Sequence, residues 1–77
     1  MDEPTGAQVF AAGQLAAPWG KEIVVQGLAF ESGLTMVRLR IREGRRFTVL
    51  DLDAASAAKL AEAIAIAFDK AAHPQAD

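Results

Sequence analysis

Five arginines, Arg38, Arg40, Arg42, Arg45 and Arg46, lie in the run RLRIREGRRFTVLDLD, which then turns acidic at Asp51 and Asp53. A guanidinium group is a planar fork of N–H donors that fits phosphate or carboxylate oxygens two at a time, so this cluster is the candidate anion-binding site. Asp51 and Asp53 have the look of a paired-carboxylate motif. Asp53, however, stands directly before an alanine-rich helical stretch and is better explained as its N-cap, which leaves Asp51 to pair with an arginine. His73, the sole histidine, precedes Pro74 at a helix end, where such residues meet the last carbonyls. The chain has no cysteine, so thiol nucleophiles, thiolate metal sites and disulfides are excluded, and a cytoplasmic location is expected. No glycine-rich phosphate loop or nucleophile–base spacing is present. These features predict a protein that is not an enzyme, with no catalytic, cofactor-binding or metal-ligating residue.

The arginines need a scaffold, and from Lys21 to Leu52 apolar and polar residues alternate with a period of two. Three strands are predicted, over Glu22–Phe30, Thr35–Ile41 and Arg46–Leu52, joined by Glu31-Ser32-Gly33 and Arg42-Glu43-Gly44. A glycine at the third position of a three-residue loop supplies the left-handed residue of a turn-plus-bulge hairpin. Phe30 then pairs with Leu34 and Ile41 with Arg45. A two-residue Glu43-Gly44 loop would instead place Thr48 and Leu50 opposite Ile41 and Leu39. The first arrangement separates apolar from mixed residues more cleanly, and glutamate tolerates positive φ poorly, so it is the one expected. It puts Ile23, Val25, Val37, Leu39, Ile41, Phe47 and Val49 on one uncharged face. The other face receives Val24, Gln26, Leu28, Phe30, Leu34, Met36, Arg38, Arg40, Thr48 and Leu50.

After Asp53 the stretch AASAAKLAEAIAIAFDKAA reads as a helix to about Ala72. Leu60, Ile64 and Phe68 form an apolar stripe that Ala57, Ala61, Ala67 and Ala71 widen. The fold class expected is α+β: a two-layer β-β-β-α unit in which a three-stranded antiparallel meander carries one C-terminal helix against its uncharged face. Residues 1–18 contain Pro4, Gly6, Gly13 and Pro18 among alanines and read as a flexible arm, with a helix over Thr5–Ala17 as the competing reading. The domain is placed at residues 19–72, and residues 73–77 are read as a disordered tail. The acidic start MDEP and the short run VFAAGQLAA fit neither a signal peptide nor a membrane span.

Eight Lys and Arg against ten Asp and Glu give a net charge of -2, so no general basic field exists and attraction to nucleic acid would have to be local. Single-strand binders also place aromatic rings beside their cations, and in the expected register Phe30 alone does so. The arginines therefore read first as a solvated strand face. The apolar half of that face, Leu28, Phe30, Leu34, Met36 and Leu50, cannot be covered by a helix already used on the other side. Either the N-terminal arm folds over it through Val9, Phe10, Leu15 and Trp19, or, as is expected first, it is a protein interface for a homodimer or a protein partner. A nucleic-acid or other anionic partner at the arginine hairpin is the alternative, and no membrane or metal partner is expected.

In RIREGRRFTVLDLD followed by AASAAKLAEAI the chain resembles small uncharacterised bacterial proteins of unknown function, in which a basic hairpin leads into an aspartate-capped, alanine-rich helix. The resemblance spans about Glu22 to Ala72. It implies a bacterial stand-alone protein and no assigned activity.

Overall fold

The computed structural model describes residues 6–74. Four strands precede one helix: β1 (Ala7–Ala17), β2 (Lys21–Phe30), β3 (Thr35–Glu43), β4 (Arg46–Asp53) and α1 (Ala54–Ala72). The strands form one antiparallel sheet in the order β1-β2-β3-β4, so the α+β class stands with four strands in place of three. The extra strand is the segment read as an arm. Its small residues have low strand propensity, but β2 offers an unpaired edge, and ladder hydrogen bonds along ten residue pairs override that weak preference. A register shift between Ala11 and Gly13 marks a bulge in β1.

The first two of the three hairpins close through three-residue loops. Pro18, Trp19 and Gly20 link Ala17 to its partner Lys21, with φ of 63° at Trp19 and 75° at Gly20. The β2–β3 turn is the expected three-residue loop. The Gly33 amide donates to the Phe30 carbonyl at 2.9 Å, the Phe30 amide donates to the Leu34 carbonyl at 2.9 Å, and Gly33 has φ 94°.

The β3–β4 turn differs from expectation. Glu43 pairs with Arg46, leaving Gly44 and Arg45 as a two-residue loop with positive φ at Gly44 alone. That is the pattern of a type II′ turn, whose glycine stands at the first central position and whose twist suits a hairpin. Ile41 therefore faces Thr48 and Leu39 faces Leu50. The shift is odd-numbered, so every β4 side chain changes face. Thr48, Leu50 and Leu52 join the uncharged face, while Phe47, Val49 and Asp51 join the arginines.

Asp53 caps α1 as expected: its carboxylate accepts from the Ser56 amide at 2.8 Å. At the other end the His73 amide donates to the Asp69 carbonyl at 3.0 Å. The helix does not cover the sheet, which corrects the two-layer arrangement. Only Ala57 and Leu60 in its first two turns are half-buried, and every residue from Ala61 to Ala72 is exposed. Ile64 and Phe68, the stripe meant for the core, are 61% and 74% exposed. The chain is correspondingly extended, with a radius of gyration of 14.9 Å. A compact domain of this length would have about 11.5 Å.

Candidate functional site

Cross-strand pairing arranges the sheet in rows of four. On the uncharged face three successive rows are apolar: Leu15-Ile23-Ile41-Thr48, Gly13-Val25-Leu39-Leu50 and Phe10-Gly27-Val37-Leu52. None of these side chains is buried, and Phe10, Leu15 and Leu50 are half exposed. Among the described residues the buried hydrophobic core is Leu28 alone, at 2% exposure, on the opposite face. An apolar sheet face and the outer two-thirds of an apolar helix stripe thus lie uncovered on one small chain.

The five residues expected to form an interface do not share one surface. Leu28 is closed over, and Leu50 lies on the uncharged face because of the β4 register. Phe30, Leu34 and Met36 remain with Leu28, where Met36 and Phe30 are half-buried and Leu34 is exposed.

The arginine face carries the rows Ala16-Glu22-Arg42-Phe47, Gln14-Val24-Arg40-Val49 and Ala11-Gln26-Arg38-Asp51. Arg38 grips Asp51 directly across the strands with two hydrogen bonds, Nε to Oδ1 at 2.7 Å and Nη2 to Oδ2 at 2.9 Å. These bonds hold the Asp51 carboxyl below its usual pKa. Arg42 donates from Nε and Nη2 to Glu22 Oε1 at 3.2 and 3.0 Å. Glu22 also accepts from the Gln14 amide group, and the Gln14 and Arg42 hydrogen bonds, in that order, lower its pKa. On the other face Lys21 meets Glu43 at 3.5 Å. Two of the five arginines are thus held by carboxylates, Arg38 by the expected Asp51 and Arg42 by Glu22.

Glu22 was missed, although its signal was present: the β2–β3 register that the sequence predicts already sets it opposite Arg42. The remaining three behave differently. Arg40 lies over the Phe47 ring, 5.8 Å from its centroid, a cation–π contact. Arg40, Arg45 and Arg46 are exposed, and among the described residues none of the three meets a carboxylate.

No group of three or more His, Asp or Glu among the described residues could hold a metal ion. No described helix is long and apolar enough to cross a membrane.

A four-stranded antiparallel meander with one capped C-terminal helix defines a small α+β domain whose surface carries an apolar area and a basic-aromatic end. A model described as "Family of unknown function (DUF6967)" matches residues 7–70, and the chain belongs to that family. The match starts at the first residue of β1, so the strand that reads as an arm is part of the family's domain. Neither a curated protein nor a solved structure matches the chain.

Proposed function

We propose that this chain is a subunit of a homodimer that acts as a non-enzymatic interaction module, with the uncharged sheet face and the exposed stripe of α1 buried against a second copy. The observation that carries this reading is the uncovered pair of apolar surfaces beside a core that, among the described residues, is Leu28 alone. Full burial of one leucine contributes about 1.5 to 3 kcal/mol, whereas ordering the backbone costs about 1 to 2 kcal/mol per residue. The isolated chain lacks the burial that a stable fold needs.

Area supports the same reading. The chain exposes 6123 Å². A folded monomer of this mass exposes about 4,500 Å², so roughly 1,600 Å² is in excess. Obligate dimers bury about 1,000 to 2,500 Å² per partner, and the excess falls in that range. A second copy is favoured over an unrelated protein because each chain carries both complementary parts, a projecting apolar helix and an open apolar sheet. A twofold axis lets each helix cover the partner's sheet.

Sedimentation equilibrium tests this. The expected mass is twice the 8.2 kDa of the chain. A single-chain mass at concentrations on the order of 100 μM, where even a Kd in the micromolar range would leave mostly dimer, overturns it.

A further inference from the structure

The β1–β2 and β3–β4 turns lie at the same end of the sheet, because Ala17, Lys21, Glu43 and Arg46 form its last row. Two strand spacings separate the tips, about 10 Å. At one tip Trp19 has φ 63°, a conformation in which a Cβ is strained and that glycine adopts freely. Its side chain is 89% exposed, so the strain is not repaid by packing within the chain. Trp19 thus holds a conformation suited to glycine while presenting a large aromatic ring to solvent.

The other tip supplies charge. Arg45 is in its loop, Arg46 begins β4, and the next residue, Phe47, is 57% exposed beneath Arg40. Among the described residues this end of the sheet gathers Lys21, Arg40, Arg42, Arg45 and Arg46 against Glu22 and Glu43, with Arg40, Arg42 and Phe47 on one face and Lys21, Glu43 and Arg46 on the other. The expected register turned Phe47 away from the arginines; the observed one sets it among them.

We propose that the two hairpin tips form a binding site for single-stranded nucleic acid, with bases stacking on Trp19 and Phe47 and phosphates held by Arg40 and Arg45. Exposed rings interleaved with unneutralised cations are the arrangement such a ligand needs: stacking accepts any base, and the cations follow the backbone. A duplex keeps its bases stacked on one another and cannot use the rings. The site does not depend on dimerisation, since one chain carries both tips.

Trp19 is the only tryptophan and the chain has no tyrosine, so intrinsic fluorescence reports on this position directly. The probe is an oligothymidylate of about 16 nucleotides, the upper end of single-strand site sizes. Titration into the full chain should quench Trp19 with a micromolar midpoint. Two phosphate contacts predict a slope of about -1.4 in log affinity against log salt concentration. Trp19→Gly, followed by anisotropy of a labelled oligonucleotide, should weaken binding roughly ten- to hundredfold while leaving the circular dichroism unchanged. Arg45→Ala should flatten the salt slope by about 0.7, whereas Arg46→Ala, on the opposite face, should leave it unchanged.

Three results overturn the proposal. One is no quenching and no anisotropy change at protein concentrations on the order of 100 μM, the weak end of nonspecific binding. Another is a blunt duplex or an acidic phosphopeptide that binds as tightly as the single strand. The third is a Trp19 emission that shifts when the protein is diluted without ligand, which would place the ring in a protein–protein contact.

Discussion

Phe68→Ala distinguishes a dimer from a monomer by the sign of its effect. In the single chain Phe68 is 74% exposed and in the last third of α1, where it supports nothing in its own protomer. Alanine is the better helix former by a few tenths of a kcal/mol. A monomer carrying the substitution should therefore be as stable as the parent or slightly more so. In the dimer the exposed part of the ring, about 150 Å² of an aromatic side chain of about 200 Å², is available for burial against the partner. Burial of only half of it contributes about 2 kcal/mol at about 25 cal/mol per Å². The twofold axis counts the residue twice, giving about 4 kcal/mol and roughly a thousandfold rise in the dissociation constant. The assay is sedimentation or light scattering over a dilution series, with urea melts at each concentration. Phe68→Ala should dissociate at concentrations where the parent is intact, and at each concentration it should melt earlier than the parent. A variant with the parent's mass at every dilution and an equal or later melt refutes the reasoning.

Two further perturbations test the sheet. Gly44→Val places a β-branched residue at φ 64° and should destabilise the protein by about 1 to 2 kcal/mol. Gly13→Ala, where an added Cβ meets nothing within 4 Å and φ is ordinary, should be neutral or stabilising in the same urea melts; equal effects would argue against the II′ turn. The carboxyls of Asp51 and Glu22 have pKa values below the 3.8 and 4.5 of free groups. Their contribution is therefore fully present above about pH 5 and is lost as pH falls through the lowered values. Asp51→Asn should melt earlier than the parent at neutral pH and show a shallower loss towards acid; identical acid limbs would show that the Arg38 pair does not form in solution.

The parts of the fold that were legible in the sequence are those fixed by local chemistry. Asp53 before an alanine-rich run is a cap whatever surrounds it, and Glu31-Ser32-Gly33 closes the loop that its glycine demands. The β3–β4 register was not legible in the same way. Gly44 satisfies a positive φ either as the last residue of one loop or as the first central residue of another, and the turn alone does not choose. The choice falls to contacts between distant residues, Arg38 with Asp51 above all, and it decides which face holds Phe47. β1 was hidden for a related reason: its alanines and glycines carry little signal, and it becomes a strand by pairing with β2. The helix stripe is apolar as the sequence reads, but beyond its first two turns it does not pack on the sheet of its own chain, and Ile64 and Phe68 are exposed.

The most direct test is an isotope-filtered NMR experiment on a mixture of labelled and unlabelled chains, which registers only contacts between protomers. The account predicts cross-peaks from the Phe68 ring and Ile64 methyls of one copy to methyls of the uncharged face, Leu39 and Leu50 among them, of the other. Cross-peaks confined to single chains, or none in a sample with the mass of one chain, would contradict it.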